Sequence, residues 1–303
     1  MNFSVRSKSR DLFAVGRIRV LEKELFDQGR FNRLAENNSA QAFETDLADT
    51  KYAPFIKEAG LYRGIEAYLH NIFLFIKENS SHPEVVDIFH FRRDIMNYIN
   101  RLRGVEEEDA FSPGLLKNLW WTSEILPPIF RRIEYTVSKK YSSVTEAPDS
   151  YIEKISMDEA LNTFSLKNSG TAVREYYTDY IDIRNLLMNL FNEESFYWEG
   201  GSIKSTDWES ISLAKEIPQK LSSRGYFKAV SGQKDLFSWE LILSRWISSR
   251  LRGMRMITFG PEPAVAYYLS LREEINNLRT ILTGILSSAD SDEIKGRLNL
   301  DYL

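Results

Sequence analysis

Three carboxylates, each followed three residues later by an asparagine, are the groups whose type and spacing could do chemistry in this 303-residue chain. They are Asp94 with Asn97, Asp182 with Asn185, and Glu274 with Asn277. An isoleucine follows each acid (Ile95, Ile183, Ile275), and a valine stands nine residues before it (Val85, Val173, Val265). A spacing of three puts acid and amide on one helix face, beside an apolar stripe. Three such pairs drawn together could hold a metal ion or relay a proton. However, 88 residues separate Asp94 from Asp182 and 92 separate Asp182 from Glu274, and equivalent positions in different units are not thereby brought together. The structural alternative is that each pair hydrogen-bonds a loop or helix end of its own unit, as polar groups beside a core commonly do.

The other reactive groups are sparse. There is no cysteine, so disulfides, iron–sulfur clusters, thiolate zinc sites and cysteine nucleophiles are excluded. Of the three histidines, His70, His82 and His90, the last two stand eight apart with Pro83 between, which is not the i, i+4 pair of a helical zinc site. "EGGSIKST" at 199–206 faintly resembles a phosphate-binding loop, yet Ile203 rather than glycine precedes Lys204 and no strand leads in. "TDYID" supplies Asp179 and Asp182 without a companion metal motif. Nucleophilic triads and general-acid pairs do not stand out. No catalytic, cofactor-binding or metal residue is expected, and no small-molecule substrate.

One basic patch remains. Between Glu240 and Glu262 the chain carries Arg245, Arg250, Arg252 and Arg255 and no acid. Three readings are open: a nucleic-acid contact, compensation of a helix dipole, or a docking surface for an acidic protein partner. The formal net charge of −4 argues against nucleic acid.

Positioning these groups falls to helices. Apolar content of 43% and charged content of 27% are those of a globular protein, and the length allows one large domain or several small ones. No run of about 18 apolar residues could span a membrane. The basic start turns polar where a signal peptide needs an apolar core. Ala264, Tyr268, Leu271, Ile275, Leu278, Leu282 and Ile285 are spaced 4, 3, 4, 3, 4, 3, which draws one apolar stripe down a helix. "GPEP" at 260–263 suits its first turn and Gly284 its stop, giving a helix over 262–283, roughly 33 Å long. Self-similarity at about ninety residues is too long for a solenoid and fits small helical bundles. The expected fold is all-α, with three similar helical bundles at 1–105, 106–194 and 195–303. "RGVEEEDAFSPG" (103–114) and "WEGGSIKSTDW" (198–208) serve as the linker and loop between them.

"FGPEPAVAYYLSLREEINNLRTILTG" resembles the C-terminal signature of the C-type subunit of rotary V/A-type ATPases and ATP synthases, whose counterpart in the eukaryotic vacuolar enzyme is the d-type subunit. Gly260, Pro261, Glu262, Pro263, Glu274, Asn277, Leu278 and Arg279 stand at matching positions. "FAVGRIRVLEKELF" is similar to the family's N-terminal pattern through Phe13, Ala14, Arg17 and Arg19, and "LADTKY" through Leu47, Thr50 and Tyr52. The middle third is carried mainly by Asp182 and Asn185, and Tyr98 follows Asn97 where the family favours leucine. The resemblance implies a non-catalytic part without cofactors: three bundles about a pseudo-threefold axis, forming a funnel. That funnel sits on the membrane proteolipid ring, at the cytoplasmic face, and receives the central shaft of D- and F-type subunits. It passes torque between ATP chemistry and the movement of protons or sodium ions. A helical-repeat scaffold of an unrelated complex is the alternative that the repeat alone would permit.

Overall fold

The repeated acids all sit in long helices whose ends are written into the sequence. In the computed structural model the described residues are 3–80, 82–105, 127–164, 166, 169–191, 197–204, 224–230 and 236–303, and all of their regular structure is helical. The chain begins with α1 (Phe3–Leu21), α2 (Gln28–Ala35), α3 (Ala40–Leu47), α4 (Ala53–Ala59) and α5 (Leu61–Asn79). After a 3₁₀ turn at Pro83–Val86 come α6 (Asp87–Leu102), α7 (Pro128–Val137), α8 (Asp149–Thr163) and α9 (Thr171–Phe191). The last are α10 (Gly225–Val230), α11 (Leu236–Arg255), α12 (Glu262–Leu286) and α13 (Ser291–Arg297). Two compact units result: Met1–Val86 with Ser248–Leu303, and Asp87–Ile247.

In the first unit α12 is the central helix. It packs against α1, α2, α3, α5, α13 and the 83–86 turn. The seven residues of the expected stripe are all buried, at 9% exposure or less. The N-terminal half is buried all round rather than along one stripe, because Glu262 through Leu271 are every one buried. Gly260 holds φ +87° just before the helix, and a side chain there would meet the Glu262 carboxylate. Pro261 then caps and Pro263 lies in the first turn, where amide donors are not needed.

Gly284 is not the stop the sequence suggests. The helix continues to Leu286 and ends at Ser287. Gly284 instead makes room for Ile294 of α13, whose side chain a Cβ would meet at 2.5 Å. Close packing, not a left-handed cap, requires glycine there. Gly64 has the same use in α5: a Cβ would lie 2.5 Å from the Ile56 backbone of α4, so the two helices touch main chain to main chain.

Caps fix the short helices. Asp27 accepts from the Arg30 amide at the start of α2, Ser39 from Ala42 at α3, and Asp290 from Asp292 at α13. In the second unit, α8 packs against α6 and α7. The rings of Phe91 and Tyr98 from α6 close on Phe130 of α7. The expected linker at 103–114 is described only through Val105, with Gly104 turning the chain at φ +74°. Residues 106–114 lie outside the described part.

The central position of α12 predicts a large cost for truncating it. Leu278 is 0% exposed, so Leu278→Ala should lower the unfolding free energy by about 2–5 kcal/mol, read from a urea titration of helical circular dichroism. A loss under about 1 kcal/mol would mean that the helix is not core.

Candidate functional site

The acids and asparagines of the repeat are buried, not merely beside the core. Asp94, Asp182 and Glu274 are at most 1% exposed, and Asn97, Asn185 and Asn277 at most 3%. A buried carboxylate is costly unless donors surround it. Glu274 has them. Its Oε1 accepts from the Tyr52 hydroxyl at 2.6 Å and faces the Lys51 ammonium at 2.7 Å, and its Oε2 accepts from the Phe26 amide at 2.6 Å. Lys51 is itself 4% exposed, donates to the Glu24 carbonyl, and lies over the rings of Phe26, Tyr52 and Tyr68 at 5.4–5.7 Å. A desolvated ammonium is thus compensated by one carboxylate, one carbonyl and three ring faces.

Asp182 is satisfied without a cation. Its Oδ1 accepts from the amides of Ser202 and Ile203, and its Oδ2 from the Ser202 and Tyr226 hydroxyls, all within 3.2 Å. This turn is the stretch with the phosphate-loop flavour. Gly200 adopts φ +96°, and a Cβ on Gly201 would lie 2.3 Å from Asp182 Oδ1. The glycines let two successive amides converge on an anion, and the anion is the chain's own carboxylate. Lys204 is exposed, and Ser205 and Thr206 lie outside the described residues.

The asparagines do one job twice. Asn185 donates to the Trp198 carbonyl and accepts from its amide, at 3.0 and 2.7 Å. Asn277 does the same with Asn299, at 2.7 and 2.9 Å. A side-chain amide so placed pairs with a backbone residue as another peptide group would, pinning an irregular segment to the helix. Asp94 and Asn97 are equally buried, and neither is without a partner. In the second and third copies acid and amide are spent on hydrogen bonds, as the structural alternative expects, but only Asn277 finds its partner within its own expected bundle: Asp182 and Asn185 bond residues beyond 194, and Glu274 bonds Phe26 and Tyr52. Among the described residues no group of three or more His, Asp or Glu could hold a metal ion.

Sequence reasoning named one half of each contact and missed the other: Phe26, Lys51, Tyr52, Trp198, Ser202, Tyr226 and Asn299. Of these, Trp198 and Ser202 lay in the quoted 198–208 loop, and Tyr52 in "LADTKY". There Leu47 is core, Thr50 bonds the Leu47 carbonyl and the Tyr52 amide, and Tyr52 reaches Glu274. The other matched residues are similarly structural. Arg19 bonds the carbonyls of Arg255 and Ile257 and the Glu22 carboxylate, Arg17 lies over the rings of Phe13 and Phe75, and Arg279 pairs with the buried Glu66.

The four arginines of the basic patch differ in setting. Arg255 is half-buried and donates to the Tyr302 carbonyl at 2.7 Å; burial, with Arg252 and Arg19 nearby, pulls its pKa down. Arg245 is half-buried, whereas Arg250 and Arg252 are exposed on the last turns of α11. Beyond them Met256 and Phe259 are exposed at 80% and 58%. His90 is fully buried, His70 stacks on Phe73, and His82 lies 3.6 Å from Glu84. A polar cleft of about 280 Å³ between α2 and α3 is lined by Arg30, Arg33, Asp46 and Asp49, and Arg30 bonds the Asp46 carbonyl and the Asp49 carboxylate across it.

The buried acids of the second and third copies thus fasten the chain's own segments, and comparison with known proteins shows the family to which the chain belongs. The chain belongs to the ATP synthase (C/AC39) subunit family, which it matches over residues 14–297. It is also similar to the C-type subunit of the A-type ATP synthase of Methanocaldococcus jannaschii, with 21% identity over 93% of this chain and 84% of that protein. The V/A-type resemblance carried by the GPEP helix is therefore upheld.

The Glu274 cluster makes stability depend on one carboxylate and on pH. Glu274→Gln leaves the Lys51 ammonium buried without its carboxylate, and should cost about 3–5 kcal/mol of unfolding free energy in the same urea titration. A cost under about 1 kcal/mol would mean that the pair is solvated. The tyrosines around it set an alkaline limit. Burial pushes Tyr68 up to about 12 from 10.0, and raises Tyr52 well above its ordinary value with help from Glu274. A raised folded-state pKa gives stability that is whole below the unfolded value and lost as pH climbs through the folded one. The urea midpoint should therefore hold to about pH 10 and fall towards pH 12, with tyrosinate absorbance rising together with unfolding. Tyrosinate appearing near pH 10 in a fully helical protein would contradict the burial.

Proposed function

We propose that this protein is the non-catalytic central-stalk adaptor of a V/A-type rotary ATPase or ATP synthase. In this reading it sits on the membrane proteolipid ring and receives the central shaft of D- and F-type subunits. It couples ATP hydrolysis or synthesis in the head to proton or sodium-ion translocation. Its three similar helical bundles, 1–105, 106–194 and 195–303, form a funnel with pseudo-threefold symmetry. The protein is peripheral, at the cytoplasmic face of the membrane, and takes neither cofactor nor nucleic acid. No helix among the described residues is long and apolar enough to cross a membrane, in keeping with a part that docks on a membrane complex.

The observation that carries this reading is the family match across nearly the whole chain. The geometry supports it. A part that transmits torque has to resist deformation, and the buried acid and amide of the second and third copies tie irregular segments rigidly to long helices. Family membership leaves the unrelated-scaffold alternative without an observation in its favour. The basic patch is assigned to partner docking, with Arg250 and Arg252 as its exposed members and Arg245 and Arg255 half-buried.

Affinity purification of the tagged protein from gently solubilised membranes tests the assignment. Ring, shaft and head subunits should be recovered together, as read by mass spectrometry, and the chain alone with ATP and a divalent metal should show no hydrolysis. Recovery of unrelated partners, or robust turnover by the isolated chain, would overturn it. Replacing Arg250 and Arg252 by Glu should lower the yield of co-purified subunits at least tenfold, equivalent to about 1.4 kcal/mol. Unchanged yield would remove the arginines from the interface.

A further inference from the structure

Met256 and Phe259, in the turn between α11 and α12, are exposed at 80% and 58%, and Met256 is the most exposed large apolar side chain among the described residues. Single apolar residues scattered on a surface are ordinary, but two within four residues on a turn held in place are not. The turn is held from two sides. The amides of Met256 and Ile257 donate back to the carbonyls of Gly253 and Met254 at the end of α11, both at 3.2 Å. The carbonyls of Arg255 and Ile257 accept from the guanidinium of Arg19 on α1, the second at 3.0 Å. Arg19 is in turn fixed by Glu22 at 2.7 Å, and the Arg255 side chain is anchored to the Tyr302 carbonyl. With the backbone on either side of Met256 tied to α1, its side chain is left in water. All of these residues belong to one compact unit.

The exposed charge around the turn has one sign. Arg250 and Arg252 are exposed on the last turns of α11. The acid across the Arg19 bond, Glu22, is spent on Arg19, and the acid that follows the turn, Glu262, is buried at the start of α12. A helix dipole accounts for arginines on the last turns of α11, but not for a methionine and a phenylalanine set in water beyond them. No lysine stands between Lys234 and Lys295. Arginine with methionine and an aromatic ring, and without lysine, is the composition found at the centre of protein interfaces. An anionic membrane surface would draw lysine as readily as arginine. Arginine is the better group where a carboxylate has to be met through both of its oxygens. A turn already set by hydrogen bonds also loses little freedom on docking, which suits a shaped pocket rather than a fluid surface.

We propose that the 256–259 turn is the anchor of a protein interface. Met256 and Phe259 enter an apolar pocket on a partner subunit, and Arg250 and Arg252 pair with carboxylates at the rim of that pocket. The apolar pair carries most of the binding, and the arginines orient it and select an acidic partner. That there is a partner subunit rests on the central-stalk reading. The anchoring pair and the chemistry of the pocket go beyond it.

The test uses the intact complex, drawn from gently solubilised membranes through the tagged chain. Met256→Ala with Phe259→Ala should lower the yield of co-purified subunits at least tenfold. The thermal midpoint of the purified variant should stay within about 2 °C of the parent, as exposed substitutions allow. Met256→Leu with Phe259→Leu, which keeps the apolar bulk, should restore most of the yield. In the otherwise unaltered complex, the photo-reactive amino acid benzoylphenylalanine in place of Met256 should cross-link to another subunit, on a segment that carries Asp or Glu. If the parent chain brings down no other subunits, the central-stalk reading fails and the interface with it. If the parent brings them down and the alanine variant does so at full yield, the reading stands and the anchor is overturned. Cross-linking to lipid alone, or to a segment without acids, overturns the anchor as well, and this result decides should the alanine variant prove unstable.

Discussion

A carboxylate buried in a helical core has to be surrounded by donors, and the rest of this molecule is arranged around that demand. Left bare, such a group would take up a proton or expel the segment that covers it. Here Asp182 draws in the 202–203 turn and Tyr226, and Glu274 draws in Phe26, Lys51 and Tyr52. Most of these donors come from turns, and Tyr226 comes from the short helix α10. The acid therefore gives an irregular stretch one defined place against a long helix, at a stringency that apolar packing alone does not impose.

This constraint also bears on how the repeated acids are read. Buried, repeated acids are what one would inspect first for catalysis, and an unpaired one in a cleft would be a candidate acid or base. The described lone pairs of Asp182 and Glu274 are instead spent on the chain's own amides, hydroxyls and ammonium. Even the loop with phosphate-binding flavour has turned its amides on an internal carboxylate. The chain belongs to the ATP synthase (C/AC39) subunit family, and the mechanical role proposed for it asks for this kind of internal fastening.

Much of this was legible in the sequence, and the rest was hidden for identifiable reasons. Helical periodicity and the prolines at 261 and 263 pointed to α12, because both act locally. The acid and asparagine stood out because they recur. Their partners were not read as partners: Tyr52 stood out only through "LADTKY", and its pairing with Glu274, like that of Phe26, spans more than two hundred residues, which nothing local marks. Gly284 misled because a glycine near a helix end commonly caps it, whereas this one clears space for Ile294. The arginine cluster looked uniform by charge alone. Only the fold distinguishes Arg255, bonded to the Tyr302 carbonyl, from the exposed Arg250 and Arg252.

The proposed function as a mechanical link is most directly tested by adding the protein back. Membrane vesicles bearing the rotary complex would be stripped of this chain and resupplied with purified protein, while ATP hydrolysis and ion uptake are followed together. The adaptor account predicts that stripped vesicles move no ions when given ATP, and that uptake returns in proportion to the protein added. Ion uptake at the full rate in vesicles lacking the chain would contradict the account outright.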